Sequence, residues 1–234
     1  GEIAQKVIDM PGVELLGIGA NFACLSGKPP TAAQMAHLSS IAHQTEGLCG
    51  PFMQTVSGGN SANLPWALGK HATGRINDLR LGEAILLGVD PVTGQQIGGM
   101  HTDAFALIAE VIEADTKPAM PVIALVGPAL ARLQLVSNSD DTRRLILALG
   151  QQDTDIQGLS MPVGSILIGA TSDHLVIGAS RSSLKVGAKV RFQMNYKALM
   201  HAMAAPDVET RLRDDRHPRR SQNNSGKAEH LVLA

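Results

Sequence analysis

A short segment, VSGGNS at residues 56–61, contains residue types that can bind an anion. Two glycines allow close approach to the backbone, and a serine hydroxyl and the first amides of a following helix can hydrogen-bond a phosphate. The run before it, Phe52–Val56, has the composition of a β-strand. Glycine, asparagine and serine also form ordinary turns, and a serine often caps a helix. The segment alone therefore leaves both a turn and a phosphate site open.

Two further places carry side chains that could take part in chemistry. Arg80 lies within the apolar segment Ile76–Leu87, where a buried guanidinium needs a partner, either Asp78 or a ligand. His101 and Asp103 could act as acid and base, bind a basic side chain, or cap a turn. These groups become informative only together with the elements that hold them.

The elements that must position these residues alternate between strand and helix up to about residue 88. Thr31 predicts a helix start, because a threonine side chain can cap the first turn of the segment that follows. Such alternation predicts a parallel sheet with crossover helices. Three strands cannot close a barrel, which takes about 250 residues in its eight-stranded form, so we expect part of the domain to lie outside this chain. The predicted elements are a strand in Val13–Phe22, a helix over Ala32–Glu46, a strand ending at Val56, a short helix over Ala62–Leu68 and a strand within Ile76–Leu87.

Beyond residue 90 the sequence predicts a β-rich domain. Its clearest strand is Val190–Tyr196, in which period-two alternation places Val190, Phe192, Met194 and Tyr196 on one face. The other predicted strands are Ala104–Ala114, Arg144–Leu149, Ser165–Ile168 and His174–Ile177.

The apolar pattern ends at Pro206, and the residues after it are typical of a solvated tail. We therefore predict three regions: alternating strands and helices over 1–90, the β-rich domain over 91–205, and a disordered tail over 206–234.

Composition excludes several classes of function. The chain has 234 residues, of which 44% are hydrophobic and 18% charged, as in a folded globular protein. A formal net charge of −1 and an aromatic content of 3% argue against nucleic acid or an anionic membrane as partners. No apolar run reaches the length of a membrane span. The only cysteines, Cys24 and Cys49, lack metal-ligand spacing, which predicts no metal site and a reducing, cytoplasmic location.

Seven motifs occur in a characteristic order along the chain: GIGANFAC (17–24), VSGGNSANL (56–64), RINDLRLGEAILLG (75–88), DAFALIAEVIEADTKP (103–118), LALGQQDTDIQGL (147–159), SDHLVIG (172–178) and FQMNYKALMHAM (192–203). In this order they resemble the alanine racemase superfamily, whose members have the pyridoxal-phosphate barrel fold, and in particular its ornithine racemase-like branch. The resemblance extends over about residues 10–208. It implies an α/β fold: the C-terminal part of a (β/α)8 barrel that binds pyridoxal 5'-phosphate, followed by a β-rich domain.

The resemblance implies that the glycine-containing segment holds the cofactor phosphate. Ser61 matches the family serine that hydrogen-bonds this group, with Gly59 and Asn60 beside it. Gly82 and the backbone amide of Glu83 match the next part of the phosphate cradle. Barrels of this kind place such residues at the carboxyl ends of their strands.

Arg80, Asn21 and Tyr196 are the other implied cofactor residues. Arg80 matches the family arginine that faces the pyridine nitrogen, and a guanidinium keeps that nitrogen unprotonated because it cannot accept a proton. The ring then withdraws electrons less strongly, which favours simple return of a proton to Cα over transamination. Asn21 stands where alanine racemases usually carry a histidine near the ring. Tyr196, the only tyrosine, matches a residue that touches the phosphate, or is an aromatic of the buried strand face.

The catalytic bases of the family have no counterpart in this sequence. A family enzyme needs a lysine that binds the cofactor covalently and serves as a base, and no lysine here has the matching context. The segment matching the second base, Thr116–Ile123, contains no tyrosine, and Gln151 replaces an arginine of many relatives. The catalytic residues therefore stay unassigned. His101 and Asp103 are the candidates, with a role at a turn as the alternative, and His174 is as easily structural.

The predicted function is racemisation of alanine, ornithine or a similar small or basic amino acid by a pyridoxal-phosphate enzyme. The reaction would proceed by removal and return of the Cα proton. This chain would be the C-terminal portion of a cytoplasmic homodimeric protein, inactive alone because it lacks the lysine. One alternative is a lyase of the same fold, such as a D-threonine aldolase, although no metal-ligand cluster is evident. The other is a non-catalytic relative that binds the cofactor without a covalent bond.

Overall fold

The computed structural model of the chain contains two compact units, Gly1–Thr102 and Asp103–Ala234. The expected position of the second base, in 116–123, lies almost wholly outside the described residues. The structure describes residues 1–24, 26–50, 52–70, 72–116, 143–179, 183–212 and 231–233.

The first unit is built from helices around two short parallel strands. Strand β1 (Gly17–Gly19) pairs with β2 (Thr55–Ser57), so that Gly17 lies opposite Thr55 and Gly19 opposite Ser57. Both strands are shorter than predicted, and β2 includes Ser57, the first serine of the glycine-containing segment. The helices are α1 (Glu2–Ile8), α2 (Ala32–Cys49), α3 (Leu64–Ala67) and α4 (Glu83–Leu87), with a 3-10 helix at Ser61–Asn63.

Helix α2 confirms the prediction of a helix capped by Thr31. The Thr31 hydroxyl accepts the backbone N–H of Gln34, and the Gln34 side chain in return accepts the backbone N–H of Thr31. This reciprocal cap satisfies two N–H groups that a helix start leaves unpaired. Three side chains of α2 form the core of the first unit together with side chains of β2 and its flanking segments. The core residues are Met35, Leu38, Ala42, Met53, Val56 and Ile76.

The predicted third strand within Ile76–Leu87 is wrong over most of its length. Only Asp78 pairs with β2, in a single parallel bridge to Ser57. The Asn77 side chain replaces the rest of the ladder, since its Oδ1 accepts the Val56 N–H at 2.8 Å and its Nδ2 donates to the Gln54 carbonyl at 2.8 Å.

The second half of that predicted strand is helix α4. Its five residues, EAILL, follow Gly82. The next residue after the helix, Gly88, has a φ of +67°. A Cβ on Gly88 would lie 2.1 Å from the carbonyl oxygen of His101, so glycine is required there. The apolar run is therefore a short helix, since a brief apolar segment is compatible with either a strand or a helix.

The second unit is a mostly antiparallel sheet, as predicted for a β-rich domain. Its strands follow the order β5-β8-β3-β4-β7-β6, and β10 pairs with β3 and β9. The strands are β3 (Phe105–Thr116), β4 (Arg143–Leu147), β5 (Leu159–Ser160), β6 (Ser165–Ala170), β7 (Leu175–Ala179), β8 (Lys189–Met194), β9 (Thr210–Leu212) and β10 (Leu231–Leu233).

Strand β8 shows the predicted alternation, but it ends before Tyr196. Val190, Phe192 and Met194 are buried, while Tyr196 is the first residue of helix α5 (Tyr196–Ala204). The Asn195 side chain caps this helix by accepting the Ala198 N–H. Tyr196 therefore does not share the buried face of the strand, and the sequence analysis missed the helix.

The chain divides after Thr102, whereas the sequence pattern changes near residue 90. The turn at Asp90–Gly94 folds back, because Val89 bridges Gln96 and the Ile97 N–H donates to the Gly88 carbonyl at 2.9 Å. The segment that follows the turn thus stays with the first unit.

The prediction of a disordered tail over 206–234 is wrong at two places. Strands β9 and β10 pair with each other, and β10 also pairs with β3. Residues 213–230 lie outside the described part of the chain. No helix among the described residues is long and apolar enough to cross a membrane.

Candidate functional site

The candidate site of the first unit lies at the carboxyl ends of β1 and β2. Because the two strands are parallel, the residues that follow them lie at the same edge. Asn21 follows β1, the loop Gly58–Ser61 follows β2, and Arg80 follows the bridge at Asp78. The structure thus brings together most of the residues predicted to contact a cofactor.

Arg80 spans the ends of both strands. Its Nη2 donates to the carbonyl oxygen of Ala20 at 2.8 Å and its Nη1 donates to the Ser57 hydroxyl. Its backbone N–H donates to the Gly59 carbonyl at 2.8 Å. Arg80 makes no ion pair with Asp78 or any other described residue, so neutral groups orient its positive charge.

The expectation that Arg80 lies in a buried apolar strand is wrong. Arg80 is exposed and lies outside any strand, so burial among apolar residues does not explain its presence. The guanidinium has five N–H donors and its two described bonds leave several of them free for a ligand.

Ser61 begins the 3-10 helix Ser61–Asn63, and its side chain, which is 5% exposed, contacts the first residues of α4. Its Oγ accepts the backbone N–H groups of Gly82 at 3.2 Å and Ala84 at 3.1 Å. Among the described residues, neither the Ser61 hydroxyl proton nor the Glu83 N–H has an acceptor. These unused donors suit a phosphate, which accepts several hydrogen bonds. The chemistry of the residues therefore fits the phosphate of pyridoxal phosphate.

Gly58 and Gly59 are both required by their surroundings. Gly59 has a φ of +109°, which strains any other residue, and a Cβ there would lie 3.1 Å from the ring of Phe22. A Cβ on Gly58 would lie 2.6 Å from Cγ2 of Ile76. The loop is therefore a tight turn in which both glycines are sterically required, and the phosphate site that the sequence left as the alternative stays a prediction.

Asn60 and Asn21 hydrogen-bond each other. The Asn60 Nδ2 donates to Oδ1 of Asn21 at 2.7 Å and to the Phe22 carbonyl at 2.9 Å, and its Oδ1 accepts the Ala62 N–H. The Asn21 Nδ2 lies 3.3 Å from the Sγ of Cys24. Asn60 therefore ties the loop after β2 to the loop after β1, and a direct cofactor contact of either side chain stays a prediction.

The Glu83 side chain is half-buried at the start of α4. Burial raises the pKa of its carboxyl group above the usual range, and the negative charge of Asp90 adds to the effect. The fold thus disfavours the ionised form of this side chain, whereas its backbone N–H is the group assigned to the phosphate.

Replacing Glu83 by glutamine is expected to raise the melting temperature slightly at pH 7. A raised folded-state pKa means that stability is fully present below the unfolded pKa and is lost as the pH rises through the folded one. Glutamine imitates the protonated form, so the gain should shrink as the pH falls towards 4. Thermal unfolding followed by circular dichroism at several pH values measures it, and a gain that grows at low pH would contradict it.

The structure does not join His101 and Asp103 as a pair. His101 is an exposed residue of the first unit, and Asp103 is an exposed residue of the second. No hydrogen bond or ion pair connects their side chains among the described residues. Their role as acid and base stays an untested prediction.

The remaining predicted site residues belong to the second unit. Tyr196 is half-buried, and its hydroxyl has no hydrogen-bond partner in the described part of the chain. Gln151 and His174 lie in two turns that bond to each other: the Gln151 N–H donates to the Thr171 carbonyl, and the His174 N–H to the Thr171 hydroxyl. Both side chains are exposed.

Sequence reasoning missed Ser57, Asn63 and Asn77 as residues that shape this site. Ser57 was counted as a turn residue, although its hydroxyl binds Arg80. Asn63 and Asn77 both bond to backbone groups of β2 or its following loop. The one available signal was an asparagine in an otherwise apolar context, which is uncommon without a partner. No group of three or more His, Cys, Asp or Glu suited to a metal ion occurs among the described residues.

Two curated proteins are similar in sequence to the chain, whereas no family model matches it. The ornithine racemase of Acetoanaerobium sticklandii is 34% identical over 215 residues, which are 90% of this chain and 61% of the relative. The lysine racemase of Thermotoga maritima is 35% identical over 208 residues, which are 88% of this chain and 58% of the relative. The chain thus spans about three fifths of the length of these relatives.

Solved structures at low sequence identity share the fold. The D-threonine aldolase of Filomicrobium marinum has a TM-score of 0.56 at 14% identity, covering 86% of this chain and 50% of that one. The biosynthetic alanine racemase of Pseudomonas aeruginosa has a TM-score of 0.53 at 18% identity, covering 87% and 55%. An alanine racemase of Bartonella henselae with covalently bound pyridoxal phosphate has a TM-score of 0.53 at 16% identity, covering 87% and 56%.

The fold and the site at its strand ends define the class of protein: the C-terminal part of a pyridoxal-phosphate-type α/β barrel, followed by a β-rich domain. This confirms the fold class predicted from the sequence. The two sequence relatives, which are racemases named for ornithine and lysine, together with the shared fold support the alanine racemase superfamily.

Proposed function

We propose that the protein is a pyridoxal-phosphate-dependent amino-acid racemase that acts on a basic or small amino acid, of the ornithine, lysine or alanine type. The observation that carries the proposal is Arg80, whose guanidinium is fixed across the ends of β1 and β2 by the Ser57 hydroxyl and the Ala20 carbonyl. The sequence relatives named for ornithine and lysine support the reaction class and the preference for a basic side chain.

In this proposal the residues around Ser61 hold the phosphate of the cofactor. The Ser61 hydroxyl, whose oxygen accepts the Gly82 N–H, and the Glu83 N–H donate to the phosphate oxygens, beside the loop that contains Gly59. The predicted contact of Tyr196 with the phosphate stays untested. When bound, the cofactor supplies an electron-withdrawing ring that acidifies the Cα–H bond of the amino acid.

Arg80 is proposed to hydrogen-bond the pyridine nitrogen and to keep it unprotonated. A guanidinium can donate but cannot accept a proton at neutral pH. With the nitrogen kept unprotonated by Arg80, the bound cofactor would withdraw electrons moderately, which would favour return of the proton to Cα over transamination. The residues that remove and return this proton stay unassigned, and His101 and Asp103 remain the proposed candidates.

A lyase is the second candidate function, because a D-threonine aldolase shares the fold. At 14% identity that likeness concerns the fold alone, and the sequence relatives favour the racemase. Retro-aldol cleavage of D-threonine by the full-length protein with a divalent metal, in the absence of racemisation, would favour the lyase. A protein that binds the cofactor without catalysis would neither cleave D-threonine nor racemise an amino acid.

The 234-residue chain is expected to bind pyridoxal phosphate reversibly but to racemise nothing by itself. None of its lysines has the sequence context of the family lysine that binds the cofactor. Incubation with the cofactor and L-ornithine, L-lysine or L-alanine in D2O, followed by NMR of the Cα proton, tests this. Incorporation of deuterium above a cofactor-only control would contradict the prediction.

We propose further that the full-length protein is a homodimer located in the cytoplasm. The dimer is what the resemblance to the superfamily implies, and the location is supported by the two cysteines, which are both free thiols. Sedimentation of the full-length protein tests the first point and cell fractionation the second.

A further inference from the structure

Asn63 is a buried polar residue that none of the cofactor assignments uses. It is 0% exposed and ends the 3-10 helix Ser61–Asn63. Its Nδ2 donates to the carbonyl oxygen of Gly58 at 2.7 Å and lies 2.9 Å from the Sδ of Met35. Its Oδ1 has no hydrogen-bond partner in the described part of the chain.

Stability alone does not explain an asparagine at this position. Its neighbour Met35 belongs to the apolar core, and burial of an amide with an unpaired acceptor is unfavourable there. A leucine has a similar volume and no polar atoms to satisfy. The amide is therefore retained for its hydrogen bond to Gly58 and not for packing.

That hydrogen bond fixes the orientation of the Gly58–Gly59 peptide. A trans peptide is planar, and its N–H points away from the side to which its C=O points. Since the Gly58 carbonyl points at the buried Asn63, the Gly59 N–H points away from Asn63. This N–H has no partner among the described residues. The two neighbouring peptides have hydrogen bonds of their own. The Gly58 N–H donates to the Asp78 carbonyl, and the Gly59 carbonyl accepts the Arg80 N–H.

We propose that Asn63 is a positioning residue for the phosphate of the cofactor, resting on the proposed function above. Its amide keeps the Gly58 carbonyl turned inward, so that the loop before Ser61 presents an N–H to the anion. Two glycines in sequence would otherwise allow this peptide to rotate, which would bring a carbonyl oxygen towards the phosphate. Electrostatic repulsion between that oxygen and the phosphate would weaken binding.

Substitution of Asn63 by leucine should weaken binding of pyridoxal phosphate selectively. Binding to the 234-residue chain can be followed by quenching of Trp66, its only tryptophan, which lies in α3. We expect the Kd for pyridoxal phosphate to rise about tenfold and the Kd for pyridoxal, which lacks the phosphate, to change little. Asn63→Asp, which keeps the shape but cannot donate when ionised, should behave in the same way. Asn63→Ala serves if Asn63→Leu does not fold.

Leu38→Ala is the matched control, because Leu38 lies in the same core cluster and contributes no hydrogen bond to the loop. It should lower the melting temperature without changing the ratio of the two Kd values. Amide exchange in the unliganded chain should rise at Gly58, whose N–H donates to the Asp78 carbonyl, in Asn63→Leu but not in Leu38→Ala. Equal weakening for both ligands, or the same ratio change in Leu38→Ala, would overturn the assignment of Asn63. Failure of the unsubstituted chain to bind pyridoxal phosphate at all would overturn the proposed function together with this inference.

Discussion

Replacement of Arg80 by methionine in the full-length protein is expected to lower the kcat of racemisation by about 10²-fold or more, as loss of one fixed electrostatic contact does in other enzymes. The guanidinium is held by the Ser57 hydroxyl and the Ala20 carbonyl, so its charge and remaining donors have a defined direction. Without it, the pyridine nitrogen can be protonated by water. The fraction of turnovers that ends in a 2-oxo acid should therefore increase. Chiral chromatography of the amino acid and an assay of the oxo acid measure the two effects.

Arg80→Lys separates charge from geometry. A lysine keeps the positive charge but cannot bond Ser57 and Ala20 at once while facing a ligand, so we expect most of the loss to remain. Arg191→Met is the control. Arg191 is an exposed arginine of the second unit, and its only described side-chain hydrogen bond, at 3.4 Å, is long. Racemisation by Arg80→Met within a few-fold of the unsubstituted enzyme would show that Arg80 does not face the cofactor.

Replacement of Glu46 by glutamine is expected to lower the melting temperature of the first unit by several degrees at pH 7. Glu46 receives two hydrogen bonds from Arg75, at 2.7 and 2.8 Å, and one from the Met53 N–H at 2.8 Å. Its side chain is only 17% exposed, and Arg75 also bonds the Met53 carbonyl and lies over the ring of Phe52. The cluster thus joins the end of α2 to the segment entering β2. Loss of the Glu46 charge leaves the Arg75 guanidinium partly buried without its charged partner.

The pH dependence gives this prediction a second, independent readout. The hydrogen bonds from Arg75 lower the pKa of Glu46 to about 2, and the Met53 N–H contributes. A depressed folded-state pKa means that the stabilisation is present above the unfolded pKa and is lost as the pH falls through the folded one. The difference in melting temperature between the two proteins should therefore be constant above pH 5 and shrink between pH 4.5 and 2.

A carboxylate in a more exposed ion pair provides the comparison. Asp155 lies 3.3 Å from Lys197, whose side chain is 65% exposed, so Asp155→Asn should change the melting temperature much less. A melting temperature that is unchanged in Glu46→Gln, or a difference that does not depend on pH below 4.5, would show that the cluster does not stabilise the first unit.

The two predictions concern opposite ends of the same parallel strands. Arg80 and Ser61 lie beyond the carboxyl ends of β1 and β2, whereas Glu46 and Arg75 lie where the chain enters β2. In α/β barrels the carboxyl end carries the chemistry and the amino end contributes to stability. Substitutions at the two ends should accordingly separate activity from stability.

The sequence by itself determined the features that depend on neighbouring residues. The Thr31 and Gln34 pair predicts the start of α2 because both capping bonds form within three residues. The alternation in β8 predicts which residues are buried, since a strand has a fixed period. The order of the motifs predicted the superfamily, and the residues within the motifs predicted a phosphate cradle. Each of these signals is local or is carried by residue identity.

The tertiary structure decided where those residues act. Arg80 was expected in a buried strand, but contacts with Ser57 and Ala20, far away in sequence, hold it at the strand ends. The predicted third strand became a bridge and a helix because the Asn77 side chain takes the place of a backbone ladder. The role proposed for Asn63 depends on its hydrogen bond to the Gly58 carbonyl and on its burial at the core of the first unit. Hydrogen bonds of this kind depend on which segments the fold brings together, and no local period or propensity encodes them.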